Sequence, residues 1–157
     1  MASVNGAVRR HVLRGARAWF LVSRGVTLGA RGAILDGEGR VLLVRHTYTP
    51  GWQFPGGGVE AGEDALTALG RELAEEAAVS LTGSPALHGI FHSTPVAPRD
   101  HVLVYVVREF RLVDRKPDRE IAEAAFFRLA DLPADTTSGT RRRLEEIVDG
   151  RPVSATW

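Results

Sequence analysis

Glu72, Glu75 and Glu76 stand at i, i+3 and i+4 in a stretch whose apolar residues recur with helical period, so the three carboxylates share one helix face. Like charges at that spacing repel one another, and a divalent cation reverses the penalty. An all-oxygen ligand set suits Mg2+, with Mn2+ as the alternative, and Mg2+ held in this way keeps several waters and also takes phosphate oxygens. The cluster therefore points to phosphate chemistry, although the spacing alone fits an acidic face turned to solvent equally well. The chain contains no cysteine, which excludes disulfides, thiolate nucleophiles and cysteine-based zinc or iron-sulfur sites.

The elements that carry these residues follow from periodicity. Leu66, Leu69, Leu73 and Ala77 form an apolar stripe that predicts a helix over residues 63–77, with Glu63 and Asp64 in its first turn. The carboxylates lie roughly 110° around the helix from that stripe, at the edge of whatever core it buries. The passage 50–58 before the helix is rich in glycine and proline and is expected to interrupt regular structure. Two β-branched, apolar runs, 26–35 and 40–46, are separated by Asp36-Gly37-Glu38-Gly39 and predict a β-hairpin. Further strands are expected at 86–91, 102–110 and 125–129, with Pro95 and Pro98 in a loop and a closing helix at 136–148. This order fits a single α+β domain over residues 1–157, an α/β/α sandwich around a central mixed β-sheet.

The net charge of +1 is unevenly distributed: Arg9, Arg10, Arg14, Arg17, Arg24 and Arg31 all precede the first acid, Asp36. Residues 1–25 read as a basic helical extension with Val4, Val8, Val12, Trp19 and Val22 along one stripe. Such a stripe packs on the domain or a second subunit; binding to a membrane surface and an arginine-rich targeting segment are the alternatives. No apolar run approaches the roughly 20 residues that cross a bilayer, and a cytoplasmic location is expected.

Gly57, Glu63 and the run Arg71-Glu72-Leu73-Ala74-Glu75-Glu76, closed by Ala77-Ala78-Val79, stand at spacings that resemble the Nudix box. Phe54-Pro55-Gly56 resembles its usual lead-in. Ala78 departs from the pattern, occupying the position of a glycine, and is strained there if the backbone needs positive φ. The resemblance implies a Nudix-type α/β/α sandwich and Mg2+-dependent hydrolysis of a nucleoside diphosphate linked to another moiety, by attack of water on a diphosphate phosphorus. It implies that Glu72, Glu75 and Glu76 hold the metal, with the Gly56 carbonyl as a further ligand, and that Glu63 and Arg71 support them. The base would be a box glutamate or a carboxylate on a later loop, Glu120 or Glu123.

Candidate substrate contacts are Arg31, Arg45 and His46 on the hairpin, for phosphate, and Trp52, Tyr48, Phe91 and Tyr105 for stacking on a base, with Arg31 and Trp52 preferred. Pro95 lies 16 residues beyond Val79, a spacing that resembles the ADP-ribose pyrophosphatase subgroup. The expected partner is a small nucleotide, with no nucleic acid; Trp19 and Phe20 are candidates for a homodimer contact. Three other functions compete: a nucleoside triphosphate pyrophosphohydrolase that cleanses the nucleotide pool, a non-catalytic sensor of nucleotide metabolites and, ranked last because no RNA-binding element accompanies the N-terminal arginines, nucleic-acid decapping.

Overall fold

The structure, a computed structural model, describes residues 25–93, 98–114 and 120–157. The helix expected in the N-terminal extension, the homodimer contact at Trp19 and Phe20, and Pro95 lie outside the described residues.

β1 (Thr27–Leu35) and β2 (Arg40–His46) form the expected antiparallel pair. Their turn is tied by the Asp36 carboxylate, which accepts from the Glu38 and Arg40 backbone N–H groups and from Arg40 Nε at 3.0, 2.8 and 2.7 Å. The ladder is short, matching only Ile34 with Leu42 and Leu35 with Val41. Beyond it the strands take different neighbours. β1 pairs with β4 (Gly56–Gly58), antiparallel, and with β7 (Asp100–Val107), parallel; β2 pairs with β3 (Trp52–Gln53) and β9 (Ile121–Arg128), both antiparallel. With β6 (Ala86–His92) on β7, these strands make the mixed seven-stranded sheet.

The strand ends depart from the periodicity. The run at 102–110 breaks after Val107, and Phe110–Leu112 forms β8, which pairs with β5 (Val79–Leu81) in a separate two-stranded sheet. β9 begins at Ile121 because it follows β2 along its whole length, a non-local pairing that a window around 125–129 does not contain. The glycine-rich passage contributes β3 and β4 instead of interrupting the sheet. Gly56 has φ 137°, and a Cβ on it would lie 2.1 Å from the Ala30 carbonyl oxygen, so glycine is what lets β4 approach β1.

Helix α1 (Ala65–Ala77) starts two residues later than the expected 63 because Asp64 is its N-cap, accepting from Leu66 N–H and Thr67 N–H at 3.0 and 2.9 Å. Leu66 is 47% exposed, and Ala68 takes its place beside Leu69, Leu73 and Ala77 on the buried stripe. Strand alternation divides the core in two. Ile34, Leu42, Val44 and Leu103 meet Leu69 and Leu73 of α1 on one face, while Ala33, Val41, Leu43, Phe91 and Val104 meet Leu144 of α2 (Ser138–Asp149) on the other. Each fully buried leucine contributes roughly 2 kcal/mol. The fold is the α+β sandwich expected, with the sheet between α1 and α2.

Ala78 ends α1 in the left-handed region, at φ 54° and ψ 39°, and its N–H closes on the Leu73 carbonyl. A side chain there costs roughly 1 kcal/mol. Ala78→Gly is expected to raise the thermal midpoint by about 2–4 °C in a domain of this size. A midpoint that stays or falls in a melting experiment would show that no strain resides at this cap.

Candidate functional site

A cleft of about 360 Å³ opens where β1 and β2 diverge, lined by Arg31, His46, Tyr48, Gln53, the Gly56–Gly58 backbone, Glu72, Glu76 and Glu120, among others. Glu76, on α1, is only 7% exposed. Its Oε2 accepts from the Gly56 N–H at 2.7 Å, and its Oε1 lies 3.3 Å from His46 Nε2. A buried carboxylate is tolerated only with such partners, so these contacts fix Glu76 between α1, β4 and β2.

Arg71 organises the outer half of the cluster. Its Nε and Nη2 donate to the two Glu63 oxygens at 3.1 Å each, its Nη1 to Glu72 Oε1 at 2.7 Å, and its Nη2 also to the Gly58 carbonyl at 3.2 Å. These bonds raise the guanidinium pKa further above its usual range. Glu75 differs from the other two box carboxylates: it is exposed, does not line the cleft, and lies 3.7 Å from Arg71. The close approach of Glu72 to β4 needs Gly57, because a Cβ there would lie 2.4 Å from Glu72 Oε1.

The Glu63 carboxyl is held below its usual 4.5, first by the Arg71 hydrogen bonds and then by the Glu60 N–H. A lowered folded-state pKa contributes stability that is present above the unfolded value and is lost as pH falls through the folded one. Glu63→Gln is therefore expected to be less stable than the parent near pH 6 and to show a shallower loss of stability below about pH 4.5. Denaturant unfolding across that range checks this; parallel curves would exclude an ionic role for Glu63.

The other candidates separate. Glu120 lines the cleft, whereas Glu123 is engaged outside it, accepting from Arg45 Nη2 at 2.9 Å. Arg45 also lies over the Trp52 ring, 5.5 Å from its centroid. Trp52 is 6% exposed and packs edge-on against Phe127, so the stacking platform expected there belongs to the second core instead. Phe91 and Tyr105 are buried as well, and Tyr48, 67% exposed on the cleft wall, is the aromatic accessible to a base. Arg31 reaches the cleft from β1, but one nitrogen already donates to the Phe54 carbonyl at 2.9 Å. Burial pushes its pKa down, against the pull of Glu76, Asp100 and Glu72.

Among the described residues no three acidic or imidazole groups are grouped to hold a metal by themselves. Glu72, Glu76 and the Gly56 backbone nevertheless share one wall and offer oxygen donors only. That set fits Mg2+, which is usually held by one or two carboxylates together with water and substrate phosphate and not by an all-protein cage. The His46 contact with Glu76 was not anticipated. The signal was there in the alternation of β2, which sends Leu42, Val44 and His46 to the α1 side; a β-irregularity between Arg45 and His46 obscures where that strand ends.

A protein-family model for the NUDIX domain matches residues 26–147. The chain is 31% identical over 104 residues to an ADP-ribose pyrophosphatase of Methanocaldococcus jannaschii, a match covering 64% of this chain and 61% of that protein. It is 54% identical over 43 residues to an RNA pyrophosphohydrolase of Halorhodospira halophila, covering 27% and 24% of the two chains. These matches thus span from about a quarter to about three fifths of the relatives' lengths. A solved structure of a MutT Nudix hydrolase from Burkholderia pseudomallei superposes with a TM-score of 0.66 at 28% identity, over 78% of this chain and 98% of its own. Among the described residues no helix is long and apolar enough to cross a membrane. With Gly57, Glu72 and Glu76 of the box at one cleft and the family model spanning most of the chain, the protein belongs to the Nudix hydrolase family.

Proposed function

We propose that the protein hydrolyses the diphosphate linkage of a nucleoside diphosphate joined to another group, such as ADP-ribose or an NDP-sugar, with Mg2+ as cofactor. The observation that carries this reading is the cleft itself. Glu72, Glu76 and Glu120 face a space also bordered by the Gly56–Gly58 backbone and Arg31, a combination of cation-holding carboxylates and anion-binding groups. The longer of the two sequence matches, to an ADP-ribose pyrophosphatase, supports this substrate class.

Glu72, Glu76 and the Gly56 carbonyl would hold the metal, with Glu75, exposed beside Arg71, as a further ligand. When bound, Mg2+ neutralises the diphosphate and lowers the pKa of the attacking water. Arg31 turns its remaining N–H groups to a phosphate oxygen, and Tyr48 offers a face to the base. A cleft carboxylate, Glu120 or Glu72, takes the proton from water as the new P–O bond forms and the P–O bond to the bridging oxygen breaks. Arg71, by holding Glu72 and Glu63, keeps the helix face oriented without touching the reacting atoms.

Product identity tests this reading. Mass analysis should find a nucleoside monophosphate and the phosphorylated second moiety. Release of pyrophosphate from nucleoside triphosphates, with no cleavage of the linked diphosphates, would assign the protein to triphosphate cleansing; binding without turnover in Mg2+ would make it a sensor.

A further inference from the structure

The segment 150–157 after α2 is fastened at several points to the edge strand β6 and to α2. His92 N–H donates to the Ala155 carbonyl and Trp157 N–H to the His92 carbonyl, each at 3.0 Å, which ties the segment to β6. Arg143, fully buried in α2, donates to the Thr156 carbonyl at 2.9 Å and to Glu146 Oε1 at 2.6 Å, with its guanidinium 3.9 Å from the Phe91 ring centroid. Glu146 accepts in turn from Ser154 N–H at 3.0 Å and lies 2.9 Å from His88 Nε2. Arg142 donates to the Trp157 carbonyl. A buried ion pair is expensive to desolvate, and its partners must be held in good geometry to offset that cost. Here those partners include two backbone groups of the segment.

The fastening delivers one ring to one place. The Trp157 indole fills the space above Gly139, where a Cβ would lie 2.6 Å from its Nε1, and it packs edge-on to Phe91. On another side it meets Arg31, whose guanidinium carbon lies 5.7 Å from the ring centroid. Arg31 stands opposite Gly56 in the β1–β4 ladder and donates to the Phe54 carbonyl, just before the glycine backbone of the cleft. An arginine with one flank on an indole and one nitrogen on a carbonyl has lost most of its rotamer freedom before a ligand arrives. Its remaining donors are thereby aimed.

We propose that Trp157 is a positioning residue: held by Arg142, Arg143 and β6, its ring seats the Arg31 guanidinium between the Phe54 carbonyl and the cleft, and so sets how tightly the site holds a diphosphate. The substrate half of this inference rests on the reading of Arg31 as a phosphate contact given above. Trp157 itself touches neither substrate nor metal. Its removal acts on binding more than on the chemical step.

The test compares Trp157→Ala and Trp157→Phe in the full chain with two readouts. The first is the reaction rate of Arg31 with phenylglyoxal, followed by peptide mass spectrometry with exposed Arg111 as the internal reference; it needs no turnover. The second is KM against kcat on whichever diphosphate the parent cleaves. Trp157→Ala should raise the Arg31 rate and KM each by at least about fivefold with kcat within about twofold, and Trp157→Phe should restore both. Unchanged Arg31 reactivity in a folded Trp157→Ala protein overturns the proposal, and so does released Arg31 with KM unchanged. If the parent cleaves no diphosphate, the functional reading fails, while Arg31 reactivity still decides the positioning role. If Trp157→Ala does not fold, Gly139→Ala, which drives the ring from its seat without deleting it, provides the same comparison.

Discussion

Glu76→Gln is expected to lower kcat/KM by about two to three orders of magnitude, roughly 3–4 kcal/mol of transition-state stabilisation. The substitution keeps the side chain's shape and removes the charge that a cation needs. It also alters the contacts that fix the carboxylate. Glu76 Oε2 accepts from the Gly56 N–H at 2.7 Å, so a glutamine must keep its carbonyl there and turn its amide towards His46, 3.3 Å from the other oxygen. The protein should remain folded, because no volume is lost from the core. Steady-state kinetics at saturating Mg2+, with a thermal melt as control, checks this; a folded variant with activity near that of the parent would remove Glu76 from the metal site.

Gly56→Ala should have the largest effect on stability. The residue sits at φ 137°, a conformation that L side chains rarely adopt, and the added Cβ would lie 2.1 Å from the Ala30 carbonyl oxygen and 2.7 Å from Arg31 Cα. Both obstacles are backbone atoms of β1, so no side-chain rotation relieves them. Either β4 lifts from the sheet or the variant carries the strain. A loss of roughly 3 kcal/mol or more, seen as a drop of about 6–12 °C in the thermal midpoint, is expected. Because the Gly56 N–H holds Glu76, activity should fall further than stability alone explains. A melting curve that overlays that of the parent would show that β4 does not need this backbone.

The parts of the fold carried by local patterns were legible in the chain. The turn at Asp36 and the stripe of Leu69, Leu73 and Ala77 each rest on contacts within a few residues, and both are found as expected apart from their ends. The glycine-rich passage was not legible, because β3 and β4 form through pairing with β1 and β2 and through Gly56, whose unusual backbone leaves no periodic trace. The site divides in the same way. The box spacing singled out Glu72, Glu75, Glu76 and Arg71; the structure brings Glu72 and Glu76 to the cleft and leaves Glu75 exposed beside Arg71. What depends on distant strands could not be read: that Trp52 is covered by Phe127 and Arg45, that Glu123 is engaged by Arg45, and that Arg31 rests on Trp157. Alternation places a residue on a face of the sheet; it does not say which residue from elsewhere in the chain will cover it.

The most direct measurement incubates the purified protein with ADP-ribose, NDP-sugars, dinucleoside polyphosphates and normal or oxidised nucleoside triphosphates, with Mg2+ and with a chelator, and identifies the products by mass. Scission of a nucleoside diphosphate linkage, dependent on Mg2+ and abolished in Glu76→Gln, is the expected result. Cleavage that persists in the chelator, or the absence of any cleavage across the panel in Mg2+, would contradict the assignment of this cleft to metal-dependent diphosphate hydrolysis.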